Sequence, residues 1–271
     1  MATFGLDIFK YFIAQGVIHH QPTIVCTASS SFHSEVFINA LPQVLSGQKK
    51  KEEGFSSSST IPNLSQLNIA WQYKKYSRTS ESTRYCHSFD LSRPMQSDLV
   101  DQCPPISMEY SSMSDLIVQI ERILLAEKNI QRVALYDIEM PVAGVTEESL
   151  ESWIQSILHL KRLVRKHNLT CLLSFKRDLF PSNLRHQMGH LCDAIFHLDC
   201  FAESQNQDEL PVELQEFVGV CFVRKLPRLH SLACHIPSAR TYGITRDRRK
   251  LKILPLHLPP EESRSNSKID F

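Results

Sequence analysis

Between Arg132 and Leu198 the chain alternates short apolar runs with amphipathic ones, and this rhythm constrains the fold more than any other feature of the sequence. Arg132–Ile138 (RVALYDI) reads as a buried strand. Leu150, Trp153, Ile154, Ile157, Leu158 and Val164 then recur at helical spacing and predict a long helix. Thr146 is its candidate cap, with Glu147 and Glu148 in the first turn and Lys161, Arg162, Arg165 and Lys166 near the end, the charge order a helix dipole favours. Leu169–Phe175 predicts a second strand, Asn183–His190 a short helix and Ala194–Leu198 a third strand. Parallel strands cannot be joined by a tight turn, so a strand–helix–strand–helix–strand series predicts a parallel sheet with crossover helices.

The flanks fit the same α/β class. Leu6–Val17 carries Ile8, Phe9, Phe12, Ile13 and Val17 at helical spacing; Pro22–Ala28 (PTIVCTA) predicts a buried strand and Ser34–Leu45 a second helix. Gly47–Leu64 combines a basic run, two glutamates and four serines, and predicts a mobile loop. Lys49–Lys51 within it are either RNA-phosphate contacts or solvated charge. Leu67–Tyr73 returns to strand, and Lys74–Pro105 reads as irregular around Phe89-Asp90-Leu91. Ser112 or Ser114 can cap a helix whose apolar stripe is Leu116, Ile117, Ile120, Ile123 and Leu124. From Phe217 (FVGVCFVRKL) onward, short strands and turns predict an antiparallel extension.

A chain of 271 residues can bury a substantial core without disulfide or metal staples. Its net charge of +1 provides no global field for nucleic acid, so any such contact must come from a local patch. Eight cysteines are scattered without a CxxC, and Cys26, Cys171 and Cys221 sit in apolar runs; we read free thiols and a reducing compartment. The apolar start is broken by Asp7 and Lys10, which fits neither a signal peptide nor a membrane span. The sequon at Asn168 reads as a chance match in such a compartment.

Few patterns carry chemistry. Neither GxxxxGK[ST] nor GxGxxG occurs and the eight glycines do not cluster, which argues against self-sufficient nucleotide hydrolysis. Asp137 ends an apolar strand with Glu139 beyond it: either a magnesium-organising acid or a polar strand end before the Pro141–Gly144 turn. His186 and His190 share a helix face near Cys192, but a fourth metal ligand is missing, and exposed histidines beside a buried thiol are the alternative. Basic residues gather at Lys161–His167, at Lys176-Arg177 with Arg185, and at Arg246, Arg248, Arg249, Lys250 and Lys252. The loop after a sheet strand at Lys176 is placed to offer cations to phosphate. Phe175 and Phe180 beside it are either base-stacking rings or core.

Ile8-Phe9-Lys10-Tyr11-Phe12-Ile13-Ala14-Gln15-Gly16, the strand at Thr23–Ala28 and Leu41-Pro42 follow one another in the order of a known family. So do Ile69-Ala70-Trp71-Gln72-Tyr73, His87-Ser88-Phe89-Asp90-Leu91, Val223–Leu229 (VRKLPRL), Leu256–Pro260 and the Lys268–Phe271 terminus. Together they resemble the PAXNEB family, the fourth subunit of the Elongator complex. From about 75 to 215 the similarity is of pattern more than identity.

The resemblance implies a single RecA-like (P-loop NTPase-like) domain over 1–271. Its expected form is a three-layer α/β fold with a mostly parallel central sheet, an antiparallel C-terminal extension, a tail at 256–271 and no intact Walker A. Members of the family usually carry a strand and glycine-rich turn ahead of the helix at Ile8–Gly16, where this sequence begins; one strand of the expected sheet and the position of a degenerate phosphate loop belong to that segment. The resemblance further implies a non-catalytic subunit, without cofactor or metal, in the cytoplasm and nucleus. Its partners would be Elongator subunits 5 and 6 in a hetero-hexameric ring, the catalytic subcomplex, and tRNA whose wobble uridine (U34) is modified. Lys176, Arg177 and Arg185 are the candidate tRNA contacts; Asp137, Arg224 and Arg228 are candidates for interface or nucleotide contact. The rival reading is an NTPase whose active sites are shared across ring interfaces, with Asp137 meeting a neighbour's Arg224 or Arg228.

Overall fold

A computed structural model describes residues 3–27, 34–45, 86–127, 129–138, 147–201, 214–227, 237 and 239–256. The predicted loop at 47–64, the strand at 67–73, the Thr146 cap, Glu139, Arg228 and the tail beyond 256 lie outside these residues. The elements are α1 (Thr3–Ile18), β1 (Thr23–Thr27), α2 (Ser34–Asn39), β2 (Pro42–Val44), β3 (Phe89–Pro94), α3 (Ser97–Gln102), β4 (Ile106–Met108) and α4 (Met113–Ala126). They continue with β5 (Arg132–Tyr136), α5 (Glu147–Lys166), β6 (Thr170–Leu173), α6 (Ser182–Leu191), β7 (Ile195–Cys200), β8 (Gly219–Lys225), β9 (Thr241–Arg246) and β10 (Leu251–Pro255).

The first sheet is parallel, four-stranded and ordered β4-β1-β5-β6. Its two central strands, β1 and β5, have apolar centres because both faces are covered, and the period of two sends alternate residues to opposite layers. Ile24, Cys26, Val133 and Leu135 join Leu116, Ile117 and Ile120 of α4, Trp153, Ile157 and Leu160 of α5, and Leu184 and Met188 of α6. Val25 and Ala134 point the other way, onto Phe9, Ile13, Ala14 and Val17 of α1. Each aliphatic or aromatic side chain so buried is worth about 1.5–3 kcal/mol. Ser112 is the α4 cap: its hydroxyl accepts from the Asp115 N–H at 3.2 Å.

The second sheet is antiparallel, ordered β10-β9-β8-β7. One face carries Leu198, Cys200, Cys221, Tyr242, Ile244 and Leu251 against Phe4 of α1. The helix α1 therefore serves both sheets: Phe9 and Ile13 face the parallel one and Phe4 the antiparallel one. Two polar contacts reinforce this seam. Arg246 Nε donates to the buried Asp7 carboxylate at 2.6 Å, and the Leu251 N–H donates to Tyr11 Oη at 3.1 Å. A further tie runs from β8, where Lys225 Nζ donates to the carbonyls of Gly189 (3.0 Å) and Cys192 (2.6 Å) at the end of α6.

Three expectations are corrected. The third strand of the 132–198 series, β7, does not join the parallel sheet; it pairs antiparallel with β8. None of its residues is fully buried, and its polar His197 and Asp199 share one face, which suits a sheet with one wet face rather than a doubly covered one. The helix predicted over Ser34–Leu45 stops at Asn39 and gives way to β2, because Pro42 has no N–H to donate and biases Leu41 away from helical dihedrals. The described part of the supposedly irregular 74–105 segment contains β3, which pairs with β2, and α3. Strand β4, at an edge of the parallel sheet, was not foreseen: three residues are too few to show a period.

Candidate functional site

Strands β5 and β6 run side by side, so the residues just past them meet at the carboxyl edge of the parallel sheet, where open α/β sheets commonly place ligands. Asp137 directly follows β5 with φ of 52°, a left-handed conformation that aspartate tolerates better than most residues. Its N–H donates to Ser174 Oγ at 2.8 Å, and the Ile138 N–H donates to the Ser174 carbonyl at 2.9 Å. Its carboxylate is largely buried and lies 3.2 Å from Lys176 Nζ. The sequence separated these two as an interface acid and an RNA cation; the structure pairs them. The Lys176 ammonium therefore balances the Asp137 carboxylate at this edge.

Lys176 and Arg177 are consecutive yet reach different sheets. The chain enters a 3-10 turn at Arg177–Leu179, fixed by Phe180, which is 3% exposed. Phe180 packs against Trp153 and Phe175 with ring centroids 5.2 and 4.7 Å apart. Of the two roles open to these rings, Phe180 is core; it anchors the turn and offers no face to a base.

Anchored so, Arg177 extends over β7, where Nη1 lies 3.4 Å from His197 Nε2. Asp199, two residues along the same strand face, approaches that nitrogen at 3.0 Å. On β8 the ring of Phe222 stands 5.8 Å from the imidazole, and the Arg224 guanidinium lies 5.1 Å over the Phe222 ring. Arg177 and Arg224, assigned separate roles from sequence, thus converge on His197 and Phe222. Burial holds the His197 pKa below its ordinary value; Arg177 and Arg224 push the same way, and Asp199 and Asp178 oppose them. The imidazole is accordingly neutral near pH 7, and the two arginines are balanced by two carboxylates. Such a face offers directed guanidinium hydrogen bonds and a half-buried aromatic ring rather than a strong field. Sequence reasoning missed His197 and Phe222. The alternation in Ile195–Cys200, which puts His197 and Asp199 on one face, was the available signal.

The other candidates disperse. Arg185 is half-buried on α6, and Arg228 lies outside the described residues. His186 and His190 are exposed, while Cys192, half-buried at the end of that helix, has its thiol pKa raised by burial. Among the described residues no three His, Cys, Asp or Glu side chains converge as a metal site would require. The Lys161–His167 cluster splits: Lys161 turns to the Leu191 carbonyl and to Asp193, and Arg165 is 3.9 Å from Asp193, whereas Arg162 and Lys166 face a cleft beside α4. In the third cluster Arg246 is bound to Asp7 and Lys252 to Asp247. The seven described cysteines are free. Among the described residues no helix is long and apolar enough to cross a membrane.

A family model described as PAXNEB protein matches residues 1–270. Several curated relatives extend over nearly the same span. The chain is 24% identical to "Elongator complex protein 4" of Dictyostelium discoideum, covering 97% of this chain and 69% of that protein. The mouse protein of the same name is 24% identical over 94% of this chain and 69% of its own length. The human one is 22% identical over 97% and 72%.

Proposed function

Because this chain belongs to the PAXNEB family, whose model covers residues 1–270, we propose that it is an accessory, non-catalytic subunit of an Elongator complex. In this reading it adopts the RecA-like fold of a ring protomer and assembles with Elongator subunits 5 and 6 into a hetero-hexamer. That ring binds tRNA, docks on the catalytic subcomplex and supports wobble uridine modification in the cytoplasm and nucleus. The observation that carries it is the span of the similarity: relatives named Elongator complex protein 4 align over 97% of the chain, not over one motif. The pairing of Asp137 with Lys176 supports a structural rather than hydrolytic role for the sheet edge. Arg177 and Arg224, held over one sheet face with Phe222, are the residues we assign to tRNA contact, with Lys176 and Arg185 flanking.

The test is reconstitution. The purified chain mixed with subunits 5 and 6 is expected to elute as a hexamer by light scattering and to bind labelled tRNA. The Arg177→Glu/Arg224→Glu variant is expected to assemble but bind tRNA at least tenfold more weakly. A chain that stays monomeric in that mixture refutes the ring assignment. Assembly with undiminished tRNA affinity in the variant refutes the proposed contact alone. The rival reading, an NTPase with interfacial sites, requires nucleotide turnover by the ring that falls with Asp137→Ala; turnover indifferent to that change removes Asp137 from any active site.

A further inference from the structure

The pair α4 and α5 carries a surface that the proposed role does not use. Ser114, Val118, Glu121 and Leu125 fall on one row of α4 at i, i+4, i+7 and i+11, a single helix face. Two of them touch α5: Ser114 Oγ is 3.3 Å from Ser156 Oγ, and Glu121 is 3.8 Å from His159. The other two, Val118 and Leu125, are 45% and 67% exposed, the latter the most exposed large apolar side chain among the described residues. They stand one heptad apart, about 10 Å along the helix. Beside them a cleft between the helices is lined by Glu121, Gln155, His159, Arg162, Leu163 and Lys166. Its one carboxylate, Glu121, lies 3.8 Å from His159 Nε2, and it is outnumbered by Arg162 and Lys166, which line the cleft one turn apart as exposed cations.

We propose that this cleft is a docking groove for an acidic amphipathic helix of a protein partner. Apolar side chains of the partner at i and i+7 would cover Val118 and Leu125. Carboxylates four residues apart on its flank would pair with Arg162 and Lys166, which share that spacing. Charge complementarity selects the occupant: the cations face an anionic partner. The two aliphatic side chains favour a peptide over nucleic acid, since phosphates would leave both uncovered.

The test uses the full chain and a fluorescein-labelled helical 16-residue peptide with leucines seven apart and glutamates four apart on the flank. Its controls are a scrambled peptide of the same composition and a labelled 12-nucleotide uridine RNA. Fluorescence anisotropy is expected to show saturable peptide binding. Affinity should fall at least tenfold for the scrambled peptide, for Leu125→Glu and for Arg162→Glu/Lys166→Glu, and should be unchanged for Arg240→Glu, an exposed cation ahead of β9. Because the substituted side chains are exposed, the variants should keep the parent circular dichroism, and Val118→Glu provides a second apolar probe. The proposal is overturned if the peptide does not bind saturably, if its scrambled form binds as well, or if both Leu125→Glu and Val118→Glu bind undiminished. It is also overturned if only the RNA binds and loses affinity with Arg162 and Lys166.

Discussion

If α1 is the seam between the two sheets, the contact of Asp7 with Arg246 should be energetically coupled, and its size follows from burial. The Asp7 side chain is 4% exposed and that of Arg246 39%. Breaking a fully buried pair by removing one partner costs about 3–5 kcal/mol, whereas exposed pairs contribute about 0.2–1 kcal/mol. A pair buried at one end falls between. Arg246→Met strands a desolvated carboxylate and is expected to lower stability by about 2–3 kcal/mol. Asp7→Asn keeps the shape and one acceptor oxygen and should lose about 1–2 kcal/mol. The double variant should be less damaged than the sum, with a coupling of about 1–2 kcal/mol. Urea unfolding of the four proteins provides these values. Hydrogen exchange should locate the loss in β9 and β10 before β1 and β5, since the contact fastens the former to the helix. Additivity within about 0.5 kcal/mol, or protection lost uniformly, would refute the role assigned to this contact.

Other consequences are more local. Burial raises the Cys26 thiol pKa from an ordinary 9.0 to about 12, so its contribution to stability is complete below pH 9 and drains away as pH rises toward 12, by about 1.4 kcal/mol per unit; the urea midpoint should be lower at pH 9.5 than at pH 8, and the exposed Cys86 should react with a thiol reagent well before Cys26. A methyl group on Gly219 would sit 2.3 Å from the Asp199 carbonyl and 3.1 Å from the Phe4 ring, so Gly219→Ala should destabilise by about 2–3 kcal/mol in thermal unfolding and part α1 from β8. Lys225→Met removes a cation shared among the last carbonyls of α6 and should cost about 1–2 kcal/mol, read as faster amide exchange in Ser182–Leu191.

Within the candidate site, the pairing of Lys176 with Asp137 bears on how basic loops are read. A lysine after a sheet strand resembles a phosphate contact when its neighbours are unknown. Here the left-handed turn at Asp137 aims a carboxylate at it, and the cation left to the surface is the next residue, Arg177. Adjacent basic residues in a sequence therefore need not act together: the anchor at Phe180 sets which one faces solvent.

What the chain announces by itself is local. The apolar runs of β1, β5 and β6 and the stripe of Leu116, Ile117, Ile120 and Leu124 were legible because a doubly covered strand and a one-sided helix each impose a period on neighbouring residues. The capping serine, narrowed to two positions, was legible because a hydroxyl just ahead of that stripe can accept from a free N–H of the first turn. Order and spacing of short segments also sufficed to indicate the family. Pairings between distant residues left no such trace. That β7 turns away from the parallel sheet, that Asp7 meets Arg246 across 239 positions, and that Arg177 and Arg224 share His197 depend on which surfaces remain uncovered once the helices have packed. Burial of those surfaces is a property of the assembled layers rather than of any segment, so only the tertiary structure could decide them.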